Sequence, residues 1–257
     1  MGIEIFRSNL LTAGLNQNIQ QDRLGGKKIY FRGTDKPDVF ESTSPVRLFS
    51  ETEIRKMISA NPEIQKILTQ NRIPLKLNMK ELQTLMENHS QDVVENAVQI
   101  AANLPPALKS KVNLKDLKDG ALLHDFGKVL IPNEVLNKTN ALTDEERKVM
   151  DLHSELGYQL LKTTGVNDNM LNLVRYHHNN HNGTKNFVPD INLQVLNLAD
   201  KYSALTETRV YKEKYTPKQA LTILSKEVEN GTVHPFLFNA LVKSVAAKEP
   251  TLNVTKY

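Results

Sequence analysis

The sequence predicts an all-α fold, and three observations favour it. Apolar residues recur at helical spacing from about residue 51 almost to the end of the chain. Helix-boundary signals flank these stripes, including the capping box Thr143-Asp144-Glu145-Glu146 and the breaker Pro105-Pro106. No pair of segments alternates convincingly as paired strands would. We therefore expect a bundle of helices.

The first half of this bundle is justified by apolar stripes that follow polar starts. Residues 51–59 and 62–69 fit two short helices. The segment from about 78 to 104 has the clearest stripe, running from Leu82 to Ala101, and His89 falls on its apolar side. A further helix is expected over 114–125, where Gly127 would end or loosen it.

The second half begins at the capping box, which predicts a helix from about Asp144 with His153 and Gly157 on one side. Another helix should end near His177-His178, before a loop rich in Gly and Asn over residues 179–189. The remaining helices are expected around 193–200, over 217–229 and over 235–247. The chain shows no internal repeat.

Composition and breakers divide the 257 residues into four parts. Residues 1–50 read as an irregular extension, because Gly25-Gly26 and Ser42-Thr43-Ser44-Pro45 interrupt a polar stretch; a short extended piece at 29–32 is compatible with it. Short helices are predicted for 51–80, the main domain for 81–247 and a tail for 248–257. Residues 25–28 lack the spacing of a phosphate-binding loop, so we interpret them as a turn.

Composition also excludes several classes of protein. The chain has no cysteine, which rules out disulfides and thiolate-ligated zinc. Its 33 Lys and Arg are scattered among 29 Asp and Glu, a pattern that disfavours binding of long nucleic acid. The N-terminus lacks a secretory pattern and no apolar run reaches membrane-spanning length, so we expect a cytoplasmic protein without membrane partners. The sequence is compatible with a homodimer but does not determine the oligomeric state.

Histidines and aspartates form the most informative set of residues. Several of them fall on apolar helical faces, where a titratable group needs a partner. Imidazole suits iron, manganese and zinc, and a carboxylate can bridge two metals. A single histidine on an apolar stripe is usually a core residue, so the prediction of a metal site depends on the whole set. The predicted ligands are His89, His124, Asp125, His153, His177, His178 and Asp200.

The charges of this set suit phosphate chemistry. Two divalent metals with the two aspartates and a bridging hydroxide would have a net charge of about +1, which fits a phosphodiester anion. Asp125 and Lys128 are the predicted catalytic residues, and Lys128 would add positive charge near the developing negative charge. The leading hypothesis is a metal-dependent phosphohydrolase.

The order of these motifs resembles the HD phosphohydrolase superfamily, specifically its HD-GYP branch. The likeness runs from about Leu82 to Ser244, well over half of the chain. The first motif that carries it is His124-Asp125-Phe126-Gly127-Lys128. It continues through Ile131-Pro132-Asn133, Leu136-Asn137-Lys138, the capping box with His153 and Gly157, His177-His178, Asp200 with Ala204-Leu205, and Arg209-Val210-Tyr211-Lys212.

The resemblance implies an HD-domain bundle with a five-helix core, flanked here by extra N- and C-terminal helices, and two divalent metals, most often iron or manganese. Residue by residue, one metal would take His89, His124 and Asp200, and the other His153, His177 and His178, with Asp125 between them. Lys128, Arg209 and Lys212 would contact substrate. Leu85 replaces a Glu that holds a third metal in some members, so we expect a dinuclear site, with the nearby Glu87 facing solvent.

Departures from the branch concern the loop after His178. The family pattern His-His-Glu-x-x-Asp-Gly-x-Gly-Tyr-Pro is here His177-His178-Asn179-Asn180-His181-Asn182-Gly183-Thr184-Lys185-Asn186-Phe187. The second Asp of the family's Asp-x-x-Asp pair is Ser203. These changes affect the expected substrate more than the metal ligands, because Asn lacks the charge of a carboxylate.

Three functions follow as alternatives. The first is a phosphodiesterase that hydrolyses a cyclic dinucleotide, with cyclic di-GMP as the default, and the matching Arg209 and Lys212 favour it. The second is a phosphohydrolase of another nucleotide or phosphate ester, which the altered loop favours. The third is a metal-loaded binding or adaptor protein without turnover. The residues do not distinguish iron from manganese.

Overall fold

Helices form nearly all the regular structure in the computed structural model, which describes residues 49–178, 189–207 and 214–249. Across those three ranges the backbone forms helices and turns but no strand, which confirms the predicted all-α class. Residues 1–48 of the predicted irregular extension, including its extended piece at 29–32, lie outside the described residues, as does most of the predicted tail.

The helices are numbered in chain order. They are α1 Glu51–Ala60, α2 Pro62–Gln70, α3 Met79–Leu85, α4 Gln91–Ala102, α5 Pro106–Lys109, α6 Leu114–Leu123, α7 Asn133–Leu136, α8 Asp144–Leu161, α9 Asp168–Tyr176, α10 Ile191–Thr206, α11 Pro217–Glu229 and α12 Pro235–Lys248. A π-helical turn, Met86–Ser90, joins α3 to α4. Two 3₁₀ turns cover Phe126–Leu130 and Lys162–Thr164.

Local signals place most helix starts where they are expected. The capping box of α8 forms as predicted: the Thr143 hydroxyl accepts from the Glu146 amide at 3.2 Å, and the Thr143 amide donates to Glu146 Oε2 at 2.7 Å. Ser50 caps α1 through the same reciprocal arrangement with Glu53. Each box satisfies amides that have no partner within the helix.

Two predicted helices differ in detail from the observed ones. The segment predicted as one helix over 78–104 is interrupted by the π-helical turn and ends at Ala102. The helix predicted over 114–125 ends at Leu123, so His124 and Asp125 lie just beyond it, before the first 3₁₀ turn. Both differences fall at predicted ligands, where the backbone departs from regular α-helix.

Helices α4, α6 and α10 bury their apolar stripes against one another, and α9, α11 and α12 complete this core. Val93, Ala97, Leu117 and Leu196 have no exposed surface. Burying a side chain of the size of Val or Leu stabilises the fold by about 1.5–3 kcal/mol. The core therefore holds α4, α6 and α10, which flank the site, in fixed relative positions.

Glycines allow the 3₁₀ turn Phe126–Leu130 to lie directly on α8. A Cβ placed on Gly127 would come within 2.0 Å of the His153 carbonyl oxygen and 2.4 Å of the Gly157 nitrogen. Both neighbours are backbone atoms, which cannot move aside as a flexible side chain can. Gly127 is thus required for the close approach of Asp125 and Lys128 to the helix that contains His153.

Among the described residues, no helix combines the length and the apolar character needed to cross a membrane.

Candidate metal centre

Five segments of the fold converge on one buried cluster. They are the π-helical turn, the ends of α6 and α9, the middle of α8 and the third turn of α10. The structure brings together all seven residues that the sequence predicts as metal ligands, and their role as ligands stays a prediction. These residues are His89, His124, Asp125, His153, His177, His178 and Asp200.

Their potential ligand atoms fall into two groups, and within each group the atoms lie within 4.8 Å of one another. One group comprises His89, His124 and Asp200. The other comprises Asp125, His153, His177 and His178. This division of the histidines and of Asp200 is the same as the division implied by the family resemblance.

Asp125 lies between the two groups and directs one carboxylate oxygen to each. Its Oδ1 is 3.2 Å from His153 Nε2 and 3.7 Å from His177 Nε2. Its Oδ2 is 3.3 Å from His124 Nε2 and 2.6 Å from Lys128 Nζ. A carboxylate in this position is able to contact a cation on either side.

Three of the histidines are oriented by the same local contact. The Nδ1 of His124, His153 and His177 lies 2.7, 2.6 and 2.7 Å from the carbonyl oxygen three residues earlier. A carbonyl oxygen only accepts, so Nδ1 must donate a hydrogen in each case. In the neutral imidazole, Nε2 then has the free lone pair, and all three Nε2 atoms point into the cluster.

Helix ends explain two of these three contacts. His124 and His177 each follow the last residue of a helix, α6 and α9, where carbonyl oxygens lack donors within the helix. Each imidazole supplies the missing donor and is held in place by it. A histidine directly after a helix is therefore both a cap and a well-oriented ligand.

Electrostatics differ between the two groups. Burial alone would lower the pKa of His124, but the carboxylates of Asp125 and Asp200 raise it to about 10. The pKa of His89 is also raised, because Asp200, Glu207 and Asp125 outweigh its burial. Burial opposes ionisation of Asp125 too, yet Lys128 and His124 hold its pKa well below the usual range. In the absence of a metal, these carboxylates therefore favour the protonated, positively charged form of His89 and His124.

The second group favours neutral imidazoles. Burial lowers the pKa of His177 and of His178 to about 4, and it lowers the pKa of His153. A metal binds the deprotonated form of histidine, so these three rings are in the form that a metal requires at neutral pH.

A cation fits the donor set of the described residues. Buried His124 Nε2 and Asp125 Oδ1 have close neighbours, but neither makes a hydrogen bond of acceptable geometry. His153 Nε2 faces His177 Nε2 at 3.2 Å, although both rings already use Nδ1 as donor. A metal ion would satisfy these buried nitrogen and oxygen atoms together. The donors are all nitrogen and oxygen, as for iron, manganese or zinc.

Exposure identifies one side of the cluster as its opening. Most of the cluster is buried, but the His178 side chain is 48% exposed and that of Lys128 is 23% exposed. Solvent therefore reaches the cluster at these two side chains.

Sequence reasoning missed one carboxylate at the site. Glu207 lies directly after α10, and its Oε2 is 3.3 Å from His89 Nδ1. Glu207 follows Asp200 by seven residues, which is two helical turns, so both residues lie on the same side of α10. That spacing was the available signal, but the sequence alone does not place the end of α10 beside the π-helical turn.

Two residues singled out by the family pattern, Ser203 and Glu87, have local explanations. Ser203 is buried away from the cluster, and its hydroxyl accepts from Asn96 Nδ2 at 2.9 Å, linking α10 to α4. Glu87 is exposed and accepts from Gln83 Nε2 at 2.8 Å, as expected for a solvent-facing side chain. Arg209 and Lys212, predicted to contact substrate, lie outside the described residues, as does the altered loop 179–188.

Comparison with known proteins identifies the family. The family model of the HD domain matches residues 76–235, more than half of the chain. The chain belongs to the HD domain family. This match includes every residue of the buried cluster and confirms the superfamily placement predicted from the sequence.

Curated relatives of this HD domain are named phosphodiesterases. The cyclic di-GMP phosphodiesterase response regulator RpfG of Xanthomonas campestris is 32% identical over 127 residues, which is 45% of this chain and 32% of RpfG. The 3′3′-cGAMP-specific phosphodiesterase 1 of Vibrio cholerae is 25% identical over 162 residues, 61% of this chain and 37% of that protein. The chain thus spans about a third of the length of these relatives.

Among solved structures, the HD domain of the L. monocytogenes phosphodiesterase PgpH is similar at 14% sequence identity. The match has a TM-score of 0.47 and covers 79% of this chain and 99% of that chain.

Proposed function

We propose that this HD domain is a metal-dependent phosphodiesterase that hydrolyses a cyclic dinucleotide, with cyclic di-GMP as the first candidate. The observation that carries the proposal is the buried cluster of five histidines and two aspartates with Lys128 at its opening. The activities for which the curated relatives are named, cyclic di-GMP and 3′3′-cGAMP phosphodiesterases, support the substrate class.

The ligand assignment follows the two groups of donors. His89, His124 and Asp200 would hold one metal, and His153, His177 and His178 the other. Asp125 would contact both, because its two oxygens face the two groups. Iron and manganese are the proposed metals, since both accept nitrogen and carboxylate ligands.

When bound, such metals would polarise a phosphoryl oxygen and would lower the pKa of a bound water molecule to near neutrality. The protein supplies the remaining features of the chemistry. The carbonyl contacts of His124, His153 and His177 keep the imidazoles oriented before any ligand arrives, so little reorganisation is needed.

Lys128 is the proposed substrate-binding cation. Its ammonium group is 2.6 Å from Asp125 Oδ2, and its side chain is partly exposed at the opening. It is therefore placed to contact a phosphate that enters from solvent and to stabilise the negative charge that grows on the phosphoryl oxygens. Arg209 and Lys212 are proposed as further contacts, on the family resemblance alone.

A second candidate substrate class has one specific observation in its favour. The loop that follows His178 in the sequence lacks the Glu, the Asp and the Gly-Tyr-Pro triplet of the family pattern. In the family pattern this loop is expected to influence which molecules fit, so another nucleotide or phosphate ester is the alternative substrate.

Product analysis tests the proposal. Protein purified without oxygen and reloaded with iron or manganese is incubated with cyclic di-GMP, cyclic di-AMP, 3′3′-cGAMP and linear dinucleotides, and products are separated by liquid chromatography. Asp125→Ala serves as the inactive control. Metal-dependent cleavage of one cyclic dinucleotide, lost in Asp125→Ala, is the expected result.

Other outcomes contradict the proposal in different ways. Cleavage confined to linear dinucleotides or mononucleotides would favour the second substrate class. Two bound metals without turnover of any phosphate ester would favour a binding or adaptor protein. Activity that persists in Asp125→Ala would disprove the proposed metal centre.

A further inference from the structure

His89 differs from the other buried histidines of the cluster in how its Nδ1 is placed. His124, His153 and His177 each donate Nδ1–H to the backbone carbonyl three residues earlier. His89 lies in the π-helical turn, and its Nδ1 instead faces the carboxylate of Glu207, with Oε2 at 3.3 Å. On the opposite edge of the same ring, Nε2 is 3.1 Å from Asp200 Oδ1.

Tautomer chemistry gives this difference a consequence. If Nε2 of His89 binds a metal through its lone pair, Nδ1 must have the single hydrogen of the neutral ring. A buried N–H needs an acceptor, and His89 is almost fully buried, with 4% of its side chain exposed. In the structure Nδ1 makes no hydrogen bond of acceptable geometry. The Glu207 carboxylate, with Oε2 at 3.3 Å, is the acceptor within its reach.

We infer that Glu207 is a positioning residue for the proposed metal centre: it fixes the tautomer and the orientation of His89 through Nδ1, so that Nε2 faces the metal. This inference rests on the proposed metal-binding function. Glu207 acts through His89 and is not itself a ligand at this position, because it lies across the imidazole ring from Nε2. Carboxylates that accept from metal-bound histidines typically contribute 10–100-fold to metal affinity.

The backbone supports the same assignment. Glu207 is the residue directly after α10, and its amide donates to the Ser203 carbonyl at 2.9 Å, which fixes the backbone at the base of its side chain. Asp200 lies two turns earlier on the same helix. One rigid element therefore supplies the groups at both edges of the His89 ring, and a shift of α10 would move them together.

Manganese affinity measured by calorimetry, with metal content by mass spectrometry, tests the inference. Glu207→Ala should weaken the affinity for one of the two metals by about 10-fold or more and leave the affinity for the second within about twofold of the wild-type value. Glu207→Gln should recover most of the loss, since its amide oxygen still accepts from Nδ1–H. Glu227→Ala is the matched control, because Glu227 has a similarly exposed side chain (27% against 24%) but pairs with Lys201 outside the cluster.

A double-mutant comparison shows whether the effect passes through His89. In a His89→Ala background, Glu207→Ala should cause no further loss of affinity. Additive losses would overturn the inference, as would wild-type affinity in Glu207→Ala. If alanine at this position prevents folding, Glu207→Asp provides the second variant, since its shorter side chain should weaken the same metal.

Failure of the underlying proposal gives a different result. A wild-type chain that binds no manganese or iron would disprove the metal centre and the inference with it. A wild-type chain that binds two metals, with Glu207→Ala indistinguishable from Glu227→Ala, would disprove only the role of Glu207.

Discussion

Among single residues, Asp125 is the one that connects the two groups of potential ligands. Its two carboxylate oxygens face different histidine groups, and its charge is retained although only 2% of its side chain is exposed. Lys128 and His124 hold its pKa well below the usual range and thereby keep the carboxylate ionised. A buried anion with neighbours of this kind is ready to bind cations without a prior proton loss of its own.

Replacing Lys128 separates charge stabilisation from metal binding. Lys128→Met keeps most of the side-chain length but removes the ammonium group beside Asp125 Oδ2. We expect kcat to fall by about 100-fold or more, because a fixed charge near the phosphate is lost, while both metals are retained. Lys128→Arg is the control and should keep part of the activity. Loss of metal together with activity would show that Lys128 acts on the centre and not on the substrate.

His177 makes the stability of the metal-free protein depend on pH. Its pKa is lowered to about 4 in the fold, against an ordinary value of 6.5, because the ring is completely buried. Below pH 6.5 the unfolded chain takes up a proton that the folded chain does not, so stability falls as pH falls from about 6.5 toward 4. The loss due to His177 between pH 7 and pH 5 should be about 1–2 kcal/mol.

Urea unfolding at a series of pH values measures this dependence. His153 and His178 also have lowered pKa values and act in the same direction. The opposite sign holds for His124, whose pKa is raised to about 10: its contribution is full below about pH 6.5 and is lost progressively as the pH rises from there to about 10. In His177→Asn the slope between pH 7 and pH 5 should become shallower than in the wild type. An unchanged slope would show that His177 is not held neutral in the fold.

At the level of elements, regular helix was predictable from the sequence and its interruptions were not. The stripe from Leu82 to Ala101 predicts a helix with His89 on its buried side, and His89 is indeed buried. The π-helical turn that contains His89 has hydrogen bonds five residues apart in place of the α-helical four, a change that the apolar spacing alone does not reveal. Periodicity therefore predicts that His89 lies on the buried side of the helix, but it does not predict the backbone conformation at His89.

In the candidate site, too, local features were predictable from the sequence and contacts between distant segments were not. His124 and His177 come just before the breaks in their predicted helices, so their caps at the ends of α6 and α9 were within reach of the sequence. Glu207 was not, because its contact with His89 depends on how α10 packs against the helix that contains the π turn. Contacts between distant segments require the tertiary structure.

Gly127 tests the contact between the 3₁₀ turn and α8. A Cβ at Gly127 would meet backbone atoms at 2.0 and 2.4 Å, whereas a Cβ at Gly157 has its nearest neighbours at 3.1 Å. Gly127→Ala should therefore destabilise the protein by about 3 kcal/mol or more, and Gly157→Ala by about 1 kcal/mol. Chemical denaturation measures both values. The reverse order, or equal effects, would contradict the described packing.

At the level of the whole molecule, the proposed centre connects segments that are far apart in the chain. His89 and Asp200 are 111 residues apart, and their side chains are 3.1 Å from each other. The site is completed only when the π-helical turn, the ends of α6 and α9, α8 and α10 have all packed. A metal bound by such a site binds the folded chain and not the unfolded chain, so it should stabilise the entire fold.

Removal of metal should therefore lower the melting temperature of the whole domain. With free metal at 100 times the dissociation constant, each site contributes about 2.7 kcal/mol to the free energy of unfolding. Thermal unfolding of chelator-treated protein, with and without added manganese, measures the difference. Asp125→Ala is the control: without the carboxylate that faces both groups of donors, its melting temperature should rise far less on addition of manganese. An equal rise in both proteins would indicate that manganese binds elsewhere, and the proposed centre would then be wrong.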